Sequence, residues 1–231
     1  MDRATRAALL LSLVLAGLST AGCATRHRWR GEEGAAHEIV NQSTISIAEF
    51  HDRERYPALG PALRDACAVF VFPRVASMGL VAGISSGMGV LLVKDQAGTH
   101  WSGPGFVSLS EADLGLQAGI ARRELMVVLA SCDGLDALAD GKSSLRLGAS
   151  PALQGGARSG TLEFAGQTRA FSRVSGAWVG VAVNGTRVRL EPALAEAYFG
   201  RALRPGELFV PIEDEDRNPC EICLAIELRS R

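Results

Sequence analysis

The sequence lacks an excess of positive charge. Its 24 Lys and Arg residues face 25 Asp and Glu residues, which leaves a formal net charge of −1. A protein that binds nucleic acid needs clustered Lys and Arg in excess to neutralise phosphates, so nucleic acid is not an expected partner. Hydrophobic residues make up 47% of the 231 residues, which is ordinary for one globular domain or two small ones.

The sequence also lacks a recognisable catalytic or metal-binding pattern. Its four histidines have no ligand spacing such as H-x-H or H-E-x-x-H, and no serine, histidine and acid stand in a known hydrolase order. The segment "GISSGMGV" does not have the G-x-G-x-x-G spacing of a dinucleotide site. We therefore expect no catalytic residue, no metal ion and no cofactor, and a protein that is not an enzyme.

The amino terminus has the three parts of an export signal. Arg3 and Arg6 precede the apolar run "AALLLSLVLAGL", and the small residues "STAG" then lead to Cys23. The segment "TAGC" resembles a bacterial lipobox, whose cysteine becomes acylated. We expect residues 1–22 to be a lipoprotein signal peptide and Cys23 to carry the lipid anchor. A plain signal peptide that leaves Cys23 unmodified is the alternative.

Residues 23–36 are polar and contain glycine, which predicts a flexible tether. Arg26, Arg28 and Arg30 surround Trp29, a composition that suits an anionic headgroup surface and equally a solvated linker. Ala24, rather than Asp, follows the cysteine, as in lipoproteins routed to the outer membrane. The expected location is therefore the bacterial cell envelope, lipid-anchored to the outer membrane and facing the periplasm.

Four further cysteines fall into two groups. Cys67 and Cys132 lie in apolar runs, which predicts buried thiols that pack as small hydrophobes. Cys220 and Cys223 have the C-x-x-C spacing of redox and zinc sites, but neither a βαβ pattern nor a second ligand pair accompanies them. We interpret this second pair as a local disulfide or as two inert thiols.

One uncharged stretch, "VASMGLVAGISSGMGVLLV", runs for nineteen residues from Val75 to Val93. Its length fits a transmembrane helix, and glycine at every fourth position from Gly79 to Gly87 fits a helix-packing face. Two buried strands joined at glycines would give the same composition. Because strand signals surround the stretch, we predict strands, with backbone geometry as the role of four glycines: Gly79, Gly83, Gly87 and Gly89.

Short strand-like segments dominate the centre of the chain. Ala68 to Phe72 reads as a buried strand that stops at Pro73, and "GFVSL", "ELMVVLAS", "TLEFAG" and "TRAFSRV" follow it. Asp95 to Gly98 and "VNGT" have turn chemistry, and "PALAEAYFGRAL" predicts a helix. These patterns predict an α+β fold: a glycine-rich, curved antiparallel β-sheet with a barrel-like core, flanked by a few short helices.

The segment from Ala36 to Phe50 has apolar residues at helical spacing. Packing against the domain is the default for such an amphipathic helix, and lying on a membrane surface is the alternative.

The order of these motifs resembles the SYLF domain, also called the Ysc84 domain. The resemblance implies a domain over residues 37–208, followed by a carboxyl-terminal tail at 209–231. Positions that match the family pattern include Phe72-Pro73, Gly79, Gly83, Gly87, Gly89, Trp101, Pro104, Gly115, Gln117, Gly119, Leu147-Gly148, Ser172-Arg173, Gly176, Gly180 and Tyr198-Gly200.

What the resemblance implies is lipid binding, since eukaryotic members of the family bind phosphoinositides with the help of a basic amphipathic helix. The helix predicted here, "AHEIVNQSTISIAEF", has no Lys or Arg. The expected function is a non-enzymatic, phospholipid-binding lipoprotein of the cell envelope, and the alternative is an adaptor lipoprotein that binds an envelope protein. Candidate lipid contacts are Ile39, Ile47, Phe50, Arg122 and Arg123.

Overall fold

The structure is a computed structural model. It describes residues 31–50, 52, 54–79, 82–95, 98, 100–114, 117–132, 135, 138, 145–150, 160–164, 168–180, 183–203, 207 and 220–230. The helices are α1 (residues 31–49), α2 (Leu59–Arg64), α3 (Pro192–Phe199) and α4 (Glu221–Ser230). The strands are β1 (Ala68–Gly79), β2 (Ala82–Lys94), β3 (Trp101–Leu114), β4 (Gln117–Leu129), β5 (Leu145–Ser150), β6 (Gly160–Phe164), β7 (Thr168–Gly180) and β8 (Val183–Leu190).

All eight strands form one antiparallel sheet in the order β5-β8-β3-β2-β1-β4-β7-β6. The sheet curls, because the two edge strands β5 and β6 approach each other. It is not closed, since no ladder joins these two strands among the residues that the structure describes. The predicted α+β class with a curved antiparallel sheet is confirmed.

The uncharged stretch from Val75 to Val93 forms the end of β1 and nearly all of β2, which pair with each other. Among the described residues, no helix has the length and apolar character needed to cross a membrane. The strand interpretation of this stretch is therefore confirmed. The described part of this stretch is paired on both sides, because β1 also pairs with β4 and β2 also pairs with β3.

The strand that was expected to stop at Pro73 continues to Gly79, and this expectation was wrong. Proline has no N–H to donate to a strand ladder. At this point, however, the register of β1 shifts against both of its neighbours, and against β2 the shift lies between Val71 and Arg74. The β-bulge takes Pro73 out of the ladder and lets a central strand pass through it.

Gly89 lies opposite this bulge and Gly87 lies just beyond it, where β2 closely approaches the backbone of β1. A Cβ on Gly87 would lie 2.6 Å from the carbonyl oxygen of Arg74, and a Cβ on Gly89 would overlap the carbonyl oxygen of Val71 and come within 2.7 Å of the Phe72 ring. No side chain fits at either position. Gly79 and Gly83 pair directly with each other at the end of the β1–β2 ladder.

Turn and helix predictions near the carboxyl end had mixed outcomes. The "VNGT" turn was wrong, because these residues form the start of β8 and pair with β3 and β5. Tertiary pairing overrides the local turn preference there. The helix is confirmed as α3, and Gly200 follows it with φ 68°, the left-handed conformation that ends helices. The Asp95 turn is confirmed, as Gly98 N–H donates to the Asp95 carbonyl at 2.9 Å.

The predicted helix over 36–50 is confirmed as α1, and it packs on the domain. Ala36, Val40, Ser43, Ile47 and Phe50 are all buried and recur at the spacing of one helix face.

Arg173 of β7 fastens α1 to the sheet. Its guanidinium pairs with Glu49 of α1 and donates to both oxygens of Glu124 on β4, at 2.5 and 3.2 Å. Burial raises the pKa of Glu124, and a hydrogen bond with Ser46 of α1 acts in the opposite direction. This cluster gives a physical role to the Ser-Arg motif of the family pattern, since Arg173 joins one helix to two strands.

The cysteines form two disulfides, Cys67–Cys132 and Cys220–Cys223, with Cα–Cα distances of 5.6 and 5.1 Å. The prediction of two buried thiols at Cys67 and Cys132 was wrong, because they are bonded to each other and Cys132 is exposed. Of the two alternatives for the C-x-x-C pair, the structure has the local disulfide.

Helix α4 lies in the segment that the sequence assigned to a tail. It contacts β3 and α2, and its Ile222, Cys223 and Ile226 belong to the hydrophobic core. The amino end of β3 also binds this helix, as the Trp101 N–H donates to Glu227 at 3.5 Å.

Candidate functional site

The central strands have a covered half and an exposed half. In the covered half, which comprises residues 68–72, 89–93 and 125–129, side chains on both faces are buried. In the exposed half, residues 74–78 of β1 and 84–88 of β2 show buried and exposed side chains in alternation. Because successive strand residues point to opposite faces, the exposed half has an inner face that is buried and an outer face that is solvent-accessible.

The inner face carries a buried polar network. Arg123 of β4 forms an ion pair with Glu111 of β3, and their side chains are 11% and 5% exposed. Thr186 of β8 donates to the other oxygen of Glu111 at 2.8 Å. Beside them the hydroxyls of Ser77 and Ser85 lie 2.8 Å apart. A buried charge needs a partner and further hydrogen bonds, and this network supplies both to Glu111.

The ion pair crosses two intervening strands. In the sheet order, β2 and β1 lie between β3 and β4, which is about 14 Å across three spacings of a flat sheet. An arginine and a glutamate can meet over that span because the sheet curls around the inner face. Val75 lies between Arg123 and Gly87 in the ladder. The pair therefore holds the curled shape of the sheet and is not placed to meet a large ligand from solvent.

The expectation that the sequence has no catalytic pattern overlooked one spacing: residues Gly83 to Gly87 read G-x-S-x-G, the spacing of a hydrolase nucleophile turn. That motif requires a sharp strand-to-helix turn with an exposed serine. Here all five residues lie inside β2, and Ser85 is buried against Ser77. The position argues against a nucleophilic role for Ser85. Among the described residues, no group of three His, Cys, Asp or Glu side chains could hold a metal ion.

The outer face is apolar and basic at once. Met78, Ile84 and Met88 are 59%, 63% and 36% exposed, although large apolar side chains are usually buried. Met78 is directly opposite Ile84, and Met88 is directly opposite Arg74. Directly opposed residues share a face, so these side chains form one patch across β1 and β2.

Arginines surround this patch on the same face. Arg122 of β4 is opposite Ala76, and Arg187 of β8 continues the row through Ser110 and Ser86. Arg74, Arg122, Arg187 and Arg189 are all exposed. We call this surface the outer arginine–methionine face; its members are Arg74, Met78, Ile84, Met88, Arg122, Arg187 and Arg189. Exposed apolar patches of this kind, rimmed by charge, are typical of interaction surfaces.

The residues predicted to contact lipid are dispersed. Ile47 and Phe50 are buried in the core, and Ile39 is partly buried against it, so α1 turns these side chains towards the sheet. In this conformation they are not placed to contact a bilayer. Arg122 lies on the outer arginine–methionine face, whereas Arg123 is in the buried ion pair. Cys23 lies outside the described residues.

The comparison with known families agrees with this architecture. A family model with the description "Las17-binding protein actin regulator", named Ysc84, matches residues 110–222. The chain therefore carries a domain of the Ysc84 family. No curated protein and no solved structure matches it.

The Ysc84 match begins in β3 and ends at the second residue of α4, so Cys220 lies inside the matched range and Cys223 lies just beyond it. The family's description names binding to a protein and regulation of actin rather than a reaction. β1 and β2, which carry Met78, Ile84 and Met88, precede the matched range.

The outer face was missed by the sequence analysis, although one signal for it was available. Met78, Ile84 and Met88 alternate with Ser77, Ser85 and glycines, so the larger side chains fall on the opposite face from the small and polar ones. The usual assumption that the larger apolar side chains point into the core assigns that alternation to the wrong face.

Proposed function

We propose that this Ysc84-domain protein binds phospholipid bilayers through its outer arginine–methionine face, with acylated Cys23 as a second attachment. The observation that carries the proposal is the combination of exposed Met78 and Ile84 with flanking arginines on one rigid surface. Apolar side chains enter the headgroup–acyl boundary, and arginines remain at the level of anionic headgroups. The proposed location is the bacterial cell envelope, at the outer membrane and facing the periplasm.

The expected affinity of this face alone is weak. Burying the exposed part of three side chains contributes roughly 1 kcal/mol each, and each arginine near an anionic surface contributes about 1 kcal/mol. The cost of holding the protein at the surface offsets much of this gain. The lipid anchor makes such a surface effective, because it raises the local concentration of bilayer around the domain.

Vesicle flotation of residues 24–231, which lack the proposed anchor, tests the proposal. We expect binding to vesicles of phosphatidylethanolamine with phosphatidylglycerol, weaker binding to phosphatidylcholine, and loss of binding at high salt because the charge attraction is screened. The double change Ile84→Ser with Met78→Ser should reduce flotation by about tenfold, since it removes roughly 1.4 kcal/mol or more.

The matched control is Ile45→Ser on α1. Ile45 is 51% exposed, so the chemical change is the same on a different surface, and flotation should stay at the wild-type level. Equal flotation of Ile84→Ser and wild type would place the bilayer contact elsewhere. Absence of binding to every vesicle would leave the alternative, a protein-binding adaptor, which crosslinking in native membranes would reveal as one dominant protein partner.

A further inference from the structure

The C-x-x-C disulfide lies at the start of a packed helix, a position that the sequence did not reveal. Cys220 directly precedes α4, and Cys223 lies in the first turn of this ten-residue helix. The Cys223 N–H donates to the Cys220 sulfur at 3.2 Å. Cys220 therefore occupies the place of a helix N-cap, where a side-chain acceptor satisfies an otherwise unpaired backbone N–H.

The two cysteines differ in their burial. Cys223 is 4% exposed and belongs to the hydrophobic core, whereas Cys220 is only partly buried at the edge of that core. An incoming thiolate can therefore reach Cys220 more easily than Cys223. After reduction, the N–H bond and the positive end of the helix dipole would stabilise a thiolate on Cys220.

We propose that Cys220–Cys223 is an exchangeable redox pair that accepts two electrons from a protein dithiol. The partner's thiolate attacks Cys220, forming a mixed disulfide, and the bond to Cys223 breaks, so that Cys223 leaves as a thiolate and takes a proton. The partner's second thiolate then attacks the partner's sulfur in the mixed disulfide, the bond to Cys220 breaks, and Cys220 leaves as a thiolate and takes a proton. The partner ends as a disulfide, and the pair ends as two thiols.

The second disulfide gives an internal reference. Cys67–Cys132 joins residues 65 positions apart, whereas Cys220–Cys223 joins residues three positions apart. A disulfide that closes a long loop restricts the unfolded chain far more than one that closes a short loop, so reduction of the local pair disturbs the fold less. We expect Cys220–Cys223 to be reduced under conditions in which Cys67–Cys132 stays oxidised.

The first test is equilibration of the folded full-length protein with mixtures of reduced and oxidised dithiothreitol, followed by alkylation and peptide mass spectrometry. Half-reduction of Cys220–Cys223 should need a ratio of reduced to oxidised reagent at least about tenfold lower than half-reduction of Cys67–Cys132. Reduction of both pairs at the same ratio, or of Cys67–Cys132 first, would overturn the proposal.

The second test assigns the attacked sulfur. With oxidised glutathione as the probe, Cys223→Ser should form a glutathione adduct at Cys220 at least about tenfold faster than Cys220→Ser forms one at Cys223. Equal rates would refute the proposed asymmetry. Neither test depends on lipid binding. If the Cys220→Ser variant floats with vesicles as well as the wild type does, the proposed function stands even where the redox proposal fails.

Discussion

Removing one partner of the buried ion pair should be among the most damaging changes to this fold. Arg123→Met keeps most of the length of the side chain but removes the charge. The Glu111 carboxylate, whose side chain is 5% exposed, then keeps the hydrogen bond from Thr186 but loses its cation. Glu111→Leu creates the converse defect, a guanidinium that is 11% exposed without its carboxylate.

The expected cost of either single change is about 3–5 kcal/mol, the range for breaking a buried ion pair from one side. That is a large part of the roughly 5–15 kcal/mol by which domains are stable. For a chain of this size, it corresponds to a fall in Tm of about 6–20 °C. The double variant Glu111→Leu with Arg123→Met should lose much less, because it leaves no unpaired charge.

Urea unfolding, monitored by far-ultraviolet circular dichroism, measures these free energies. The wild type, the two single variants and the double variant form a double-mutant cycle, which yields the coupling energy between Glu111 and Arg123. Arg122→Met is the matched control. Its side chain is exposed on the opposite face of the same strand, so its cost should stay below about 1 kcal/mol. If Arg123→Met costs no more than this control, the ion pair is hydrated and the reasoning is wrong.

Four further variants test other parts of the fold. Gly89→Ala should destabilise the fold by about 1–3 kcal/mol in urea unfolding, because the added Cβ would overlap the bulge. Gly34→Ala on α1, where the Cβ would have open space, should stabilise the fold by about 0.5–1 kcal/mol. Lys94→Met should cost about 1–2 kcal/mol, because Lys94 donates to two carbonyls at the end of α2, at 2.7 and 2.8 Å. Desolvation lowers the pKa of Lys94 from 10.5 in the folded protein. Just below pH 10.5 the unfolded chain therefore binds more protons than the folded protein does. The free energy of unfolding should rise with pH in that range for the wild type but not for Lys94→Met. Replacing Cys67 and Cys132 together by serine should cost about 4 kcal/mol in a thermal melt, from the loop entropy of a cross-link 65 residues apart.

Most of the strands, α1 and α3 could be predicted because their signals are local. Alternation identifies a strand, helical spacing identifies α1, and a glycine after "PALAEAYF" marks the end of α3. The bulge at Pro73 could not be predicted in this way. Its stability depends on the absence of a side chain at Gly89, which comes from another strand.

Arg122 and Arg123 show where the sequence reaches its limit. Neighbouring strand residues point to opposite faces, so one of the two had to be buried. Choosing which one requires the register of β4 against β1, and finding the carboxylate that pairs with Arg123 requires the curl of the sheet. Both are properties of the assembled sheet. The same holds for Cys67 and Cys132, whose apolar surroundings fitted free thiols as well as a disulfide.

The position of Met78 and Ile84 argues that their exposure is functional rather than a defect of packing. They lie on β1 and β2, the two central strands of the sheet, which are paired on both sides and have no free edge. A one-residue slip would bury these side chains but would also expel Ser77, Ser85 and the network beside them from the inner face. The bulge opposite Gly89 fits a single register and so prevents that slip. The sheet therefore holds these apolar side chains in solvent, where a partner surface can cover them.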